Sequence, residues 1–213
     1  MATVIFDLDG TLTKKDTYLP FLGMCLKEFG PRSLSVALLP FYASLYLCGL
    51  ISNARLKEVF LGKILSGVTL ESLEPVSEKF VSALLEHGLN RAAVELLRTH
   101  LERNDRVVLA TASFDLYTVK LAARLGIETV VCTRAELKDG ALTGRIYGKN
   151  CHGPEKLRRL EDVIGEREWG LSIFYTDHYS DLPLLKRASR GVLVNPGLKT
   201  RILLRRFNFT LLR

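Results

Sequence analysis

A chain of 213 residues, 47% hydrophobic and 25% charged, carries enough apolar material for one α/β core and a small inserted unit. It has no repeat or low-complexity tract, which excludes a solenoid or a disordered tail protein. Lys and Arg outnumber Asp and Glu by 30 to 23, a formal charge of +7 that favours phosphate esters, acidic lipid surfaces or nucleic acid as partners.

Residues 2–6 form a short apolar run ending in Asp7-Leu-Asp9-Gly-Thr11, the pattern of a buried strand running into a polar loop. From about Asp16 to His87 the spacing is helical, with no good strand candidate. Residues 92–103 then read as an amphipathic helix, with Ala93, Leu96, Leu97 and Leu101 on one face. A second strand is predicted over 106–110, a helix over 116–125 stopped by Gly126, and a third strand over 128–132. Residues 135–147 predict a hairpin turning at Asp139-Gly140, a dipeptide suited to positive φ. Beyond it come a helix (154–164), a strand (171–175), a helix (182–188) and a fifth strand (191–194). Strands alternating with helices imply a doubly wound, mostly parallel, Rossmann-like sheet, with the long helical stretch inserted as a cap. The expected division is a core of 1–13 and 91–213 and a cap of 14–90.

Open α/β sheets bind ligands beyond the carboxyl ends of their strands. The polar clusters fall there: Asp7, Asp9 and Thr11 after the first strand, Thr111 and Ser113 after the second, Asp177 and Asp181 after the fourth. Taken singly each has an ordinary explanation, such as an Asx turn for D-x-D-G-T or a helix cap for Asp181. Taken as an ordered set they describe chemistry. Asp7 with Asp177 and Asp181 offers hard oxygen ligands for Mg²⁺, which would offset the repulsion between a carboxylate nucleophile and a phosphate ester. Asp7 can attack phosphorus to form an aspartyl-phosphate, and Asp9 can act as general acid and base. Thr111 or Ser113 can hydrogen-bond the phosphoryl oxygens, and Lys156 can neutralise them.

These segments resemble the four motifs of the haloacid dehalogenase superfamily, in particular its phosphoserine-phosphatase-like subfamily (IB). Asp7-Leu-Asp9-Gly-Thr11 is similar to motif I, and Val107-Val-Leu-Ala-Thr111-Ala-Ser113-Phe114 to motif II. Gly153-Pro-Glu-Lys156 is similar to motif III, and Tyr175-Thr-Asp177-His-Tyr-Ser-Asp181 to motif IV. The resemblance implies Asp7 as nucleophile and metal ligand, and Asp9 as acid/base with a main-chain carbonyl on the metal. It implies Thr111 as the phosphate-binding hydroxyl, Asp177 as a metal ligand and Asp181 as a second, water-mediated one, with Mg²⁺ as cofactor. Thr176 stands where many relatives have Gly, which adds a methyl and a hydroxyl near the metal. The subfamily's phosphoserine phosphatases hold the amino acid with an acidic residue soon after motif I and a cap arginine; Asp16 and Arg55 are the candidates here.

The implied activity is magnesium-dependent phosphomonoester hydrolysis, on phosphoserine or another small metabolite, or on a phospholipid head group. A phosphatidylglycerophosphate phosphatase is the lipid alternative, and a membrane-surface binding module with little turnover the alternative of another class. Nucleic acid is not expected, because no aromatic-interleaved RNA motif, zinc finger or Walker loop is present. The scattered Cys25, Cys48, Cys132 and Cys151 and the lack of a signal-peptide pattern point to the cytoplasm, with membrane association as the alternative. Residues 34–51 are uncharged, flanked by Lys27, Arg32, Arg55 and Lys57. A buried cap helix or helical pair is expected there, a membrane-dipping segment being the other reading. For the mixed basic and apolar tail 199–213, packing onto the core with arginines outward is expected, and contact with an anionic membrane is the alternative.

Overall fold

A computed structural model describes residues 1–31 and 34–212. Arg32, expected to flank the apolar stretch, and Arg213, the last residue of the tail, lie outside the described residues. In chain order the elements are β1 (Thr3–Phe6), α1 (Tyr18–Phe29), α2 (Leu39–Leu47), α3 (Asn53–Leu65), α4 (Leu70–Ala83), α5 (Arg91–Glu102), β2 (Arg106–Phe114) and α6 (Asp115–Arg124). They continue with β3 (Thr129–Lys138), β4 (Ala141–Tyr147), α7 (Pro154–Glu161), α8 (Glu166–Trp169), β5 (Ser172–Thr176), α9 (Leu182–Arg187), β6 (Arg190–Val194), α10 (Leu198–Leu204) and β7 (Thr210–Leu212).

The strands form one sheet in the order β4-β3-β2-β1-β5-β6-β7, parallel except for β4. Alternate residues of β1 serve opposite faces, as the two-residue period of a strand requires. Val4 and Phe6 join a large apolar cluster with α1, α3, α4, α5 and α6, while Ile5 packs with Leu160, Trp169, Phe174 and Leu184 on the other face. Both faces are covered, so the central strands read as unbroken apolar runs. The helical insertion between β1 and β2 shares the first cluster through Phe21, Leu22, Leu61, Leu65 and Phe80.

The predicted hairpin is present, and Asp139 and Gly140 take φ of 51° and 77° at its turn. Its first arm is the continuation of β3, which pairs parallel with β2 and then antiparallel with β4. Where α3 lies on β4, two glycines meet. A Cβ on Gly144 would stand 2.3 Å from the Gly62 Cα, and that close approach fixes the seat of α3 over the sheet edge.

Two expectations are corrected. Residues 34–51 form a short 3-10 turn (Leu34–Leu38) and the nine-residue α2, in which no residue is buried. The stretch is therefore not a buried helical pair. Pro40 at the start of α2 and Gly49 after it (φ 73°) keep the helix short. Among the described residues no helix is long and apolar enough to cross a membrane. In the tail, Leu204 is buried and Phe207 and Phe209 pack on the second cluster. Leu198, Ile202 and Leu203 face outward all the same, and the chain ends in an unforeseen strand, β7, parallel to β6.

Candidate active site

The loop after β1 turns sharply at Gly10, with φ of 77°. A side chain there is excluded twice over, by that backbone and by Asp177, whose Oδ2 would lie 2.4 Å from a Cβ. Glycine thus lets the motif after β1 close against the end of β5. Asp7, Asp9, Asp177 and Asp181 all border one cavity of about 400 Å³ at the carboxyl ends of the strands, as do Ser113, Lys156 and Asp16. A larger cavity of about 610 Å³ opens at the opposite ends, beside Ala2, Thr3 and Arg106. Two of its three acids are already committed, Asp105 to His100 at 2.9 Å and Glu168 to Arg106 at 2.6 Å, and the third, Glu128, is exposed. Chemistry, not size, selects the smaller one.

Lys156 organises the floor. Its Nζ lies 3.1 Å from Asp7 Oδ1 and 3.0 Å from Asp181 Oδ2, and all three groups are buried. Burial opposes the lysine charge, but Asp181 and Asp7 outweigh it and hold the ammonium well above its ordinary value. Burial pushes the Asp7 carboxyl up; Lys156 pulls it down, while Asp181, Asp177 and Asp9 add to the rise. A carboxylate at Asp7 therefore depends on cations. Thr176 Oγ1 donates to Asp181 Oδ2 at 2.9 Å and accepts from the His178 N–H at 3.2 Å, so this hydroxyl braces an acid of the site.

Asp9 is fixed in orientation. Its Oδ1 accepts the Thr17 N–H at 2.8 Å and the Thr17 hydroxyl at 2.6 Å, and its Oδ2 accepts the Ser113 hydroxyl at 2.6 Å. The Tyr117 hydroxyl, 2.9 Å from Thr17, supports the arrangement from α6. Ser113 thus positions Asp9 rather than facing the cavity as an uncommitted donor. Thr11 and Thr111 are fully buried, and the cavity wall beside Thr111 is made by Ala112 and Ser113. Thr111 Oγ1 accepts the Ser113 N–H at 3.0 Å.

Oxygen donors for a cation are present. Asp177 Oδ1 and Asp181 Oδ1 are buried side-chain oxygens with no hydrogen-bond partner. Such orphans are rare unless an ion or water completes them. Among the described residues no group of three or more His, Cys, Asp or Glu side chains is placed to hold a metal ion by itself. Two carboxylates, a main-chain carbonyl and retained waters suit Mg²⁺, which seldom takes an all-protein shell. The residues fit the ion.

Arg55, the expected cap cation, does not reach the cavity. Its side chain is 65% exposed and pairs with Glu58 at 3.7 Å. Two residues along α3 the helix has turned by about 200°, and there Lys57 is buried and lines the wall. Its Nζ donates to Ala112 O at 2.6 Å and to Asn150 Oδ1 at 3.3 Å. Burial pushes the Lys57 ammonium down to about 8, against Asp9 and Asp16. Asp16 lines the same wall and accepts the Leu19 N–H at 3.1 Å; burial, then Asp9, raise its carboxyl. Sequence reasoning passed over Lys57, Asn53, Tyr18, His152 and His178, which also border the cavity. Ser52 caps α3 by accepting the Arg55 N–H, but a cap marks where the helix starts and not which face turns inward, so no local signal singled out Lys57.

A family model described as haloacid dehalogenase-like hydrolase matches residues 4–186, spanning every strand end that borders the cavity. The chain belongs to that family. This haloacid dehalogenase-like hydrolase is 31% identical to Protein CicA of Caulobacter vibrioides over 186 residues, 85% of this chain and 81% of that protein. It is 27% identical to the phosphoserine phosphatase SerB1 of Mycobacterium tuberculosis over 214 residues, 96% of this chain and 68% of that one. Among solved structures, a protein of unknown function from Bordetella pertussis Tohama I superposes with a TM-score of 0.85 at 25% identity, covering 100% of this chain and 99% of that one.

Proposed function

We propose that this hydrolase is a magnesium-dependent phosphatase that cleaves phosphate monoesters through an aspartyl-phosphate on Asp7. The observation that carries the reading is a buried lysine, Lys156, held between Asp7 and Asp181, with Asp177 facing the same cavity. Mg²⁺, when held by Asp7, Asp177 and the Asp9 carbonyl, supplies charge neutralisation for an anionic ester. Asp7 Oδ attacks phosphorus; the P–O bond to the leaving alcohol breaks, and Asp9 gives that oxygen its proton. Asp9 then takes a proton from the water that cleaves the acyl phosphate, releasing inorganic phosphate and restoring the Asp7 carboxylate. Ser113 and Thr17 hold Asp9 in line for both transfers.

Residues 14–90 act as the cap over a core of 1–13 and 91–213, and specificity lies where Asp16 and Lys57 face the cavity from that cap. An acid and a buried cation on one wall suit a small ester bearing both an amine and an anionic group, and the name of the mycobacterial relative agrees. Phosphoserine is therefore the first substrate to assay, with phosphatidylglycerophosphate as the lipid comparison and an aryl phosphate as reference. Magnesium-dependent phosphate release, with kcat/KM highest on phosphoserine, is expected; no turnover of any ester at any Mg²⁺ concentration would overturn the assignment.

Two pH dependences follow. Burial first, then Asp181 and Asp9, push the Asp177 carboxyl up to about 6. Mg²⁺ must displace that proton, and the one that burial favours on Asp7, so its affinity is expected to fall as pH drops, by at least about tenfold per pH unit below 6. Calorimetric titration with Mg²⁺ at several pH values measures this. Lys57, by contrast, carries charge below about 8 and loses it above. KM for phosphoserine should therefore rise as pH passes about 8, while KM for an aryl phosphate stays flat. Lys57→Met should raise the phosphoserine KM about 10- to 100-fold at pH 7, the scale of a lost charged hydrogen bond.

A further inference from the structure

The catalytic assignment makes no use of the outer face of the insertion. There α2 and the turn after it present Phe41 (57% exposed), Leu47 (82%) and Leu50 (71%), with Leu38 and Tyr46 beside them. These are large exposed side chains on one short segment, and exposed apolar surface of this kind marks an interaction site. Near the end of the described residues, α10 exposes Leu198, Ile202 and Leu203. Lys199 of α10 lies over the Tyr179 ring at 4.8 Å, and its ammonium is raised first by Tyr179 and also by Tyr46 of α2.

The charge around this surface has one sign. No Asp or Glu occurs between Glu28 and Glu58, nor anywhere from Leu182 to the end of the chain. Lys63 lies over the Tyr42 ring at 5.4 Å, and Lys199, Arg201, Arg205 and Arg206 are exposed on or just after α10. A second copy of the chain would be a poor cover, because a two-fold interface sets a patch against itself and would bring these cations together. An anionic bilayer supplies both missing partners: hydrocarbon for the leucines and phenylalanine, and lipid phosphates for the basic rim.

We infer that α2 with its following turn, together with the exposed face of α10, docks this protein peripherally on anionic membrane surfaces. The inference is independent of which phosphate ester the site cleaves. Helix α2 is nine residues long, too short to cross a bilayer, so the contact is interfacial.

The test uses the full chain with vesicles of phosphatidylcholine alone or mixed with phosphatidylglycerol. Cys48, at the end of α2, is exposed, whereas Cys25, Cys132 and Cys151 are buried, so an environment-sensitive dye can be placed on Cys48 selectively. Co-sedimentation with the phosphatidylglycerol vesicles, weakened by salt, and a blue shift of the dye are expected. The double variant Leu47→Glu, Leu50→Glu should lower vesicle affinity about 10²-fold, the order set by removing two leucines from hydrocarbon, while hydrolysis of a soluble aryl phosphate is unchanged. No binding to either vesicle, equal binding to both, or undiminished binding by the variant would overturn the inference. So would a wild-type dimer, seen by light scattering, that becomes monomeric in the variant.

Discussion

Asp7→Asn is expected to reduce phosphate release by about 10⁴- to 10⁶-fold at saturating Mg²⁺, the scale on which enzymes lose turnover when a covalent nucleophile is removed. Asn has nearly the size and shape of Asp, so the cavity and the Asp7 N–H bond to Tyr175 O at 2.9 Å should survive. What goes is the anionic oxygen that attacks phosphorus. The stability change should be small or favourable. Burial and three neighbouring acids already disfavour charge at this position, and a neutral amide removes that repulsion at the cost of one ion pair to Lys156. The pairing of lost turnover with a preserved melting temperature distinguishes a chemical role from a structural one. Activity within about tenfold of wild type, a loss of only ~1.4 kcal/mol in barrier terms, would remove Asp7 from the nucleophilic role.

The strand β1 and the residues at its carboxyl end were legible in the sequence because each follows a local rule. A buried parallel strand needs an apolar run, and a loop at its end needs a residue free of Cβ strain, here Gly10. The Asp139-Gly140 turn was legible on the same terms. Lys57 was not, because which face of α3 looks inward is set by the Gly62–Gly144 contact with β4, a neighbour far away in sequence. The seventh strand escaped because three residues among basic side chains carry too little periodicity to register. The exposure of α2 was misread for a related reason: an uncharged stretch says that water is disfavoured, not what replaces it. Ser113 shows the limit for a site. Its place on a strand end was evident, but its use, holding Asp9 at 2.6 Å, depends on how the loop after β1 folds back over β2.

Lys156→Met is the substitution expected to cost most in stability as well as activity. Met matches the lysine stem in length but leaves Asp7 and Asp181 facing each other without the ammonium now 3.1 Å and 3.0 Å from them. Breaking a buried pair by removing one partner costs about 3–5 kcal/mol, because the remaining charge is stranded. For a chain of this size that corresponds to a fall of about 6–20 °C in melting temperature. Turnover should fall at least about 10²- to 10³-fold, the usual effect of deleting one group that neutralises transition-state charge. The pH dependence gives the cause. With the cation gone, the Asp7 carboxyl, already pushed up to about 8 by burial, loses the one neighbour that lowers it, so the folded state binds more protons there than the unfolded chain does. Its stability is then greatest at low pH and is lost as pH rises through that folded value. The melting-temperature gap between wild type and Lys156→Met should therefore be widest near pH 8 and narrow toward pH 5, where acid protonates Asp7. Lys156→Arg keeps the charge and should recover most of the stability, but a planar guanidinium cannot reproduce a point charge between two carboxylates, so activity should stay low. A gap independent of pH would mean that packing, not the Asp7–Lys156–Asp181 charge balance, is what the lysine supplies.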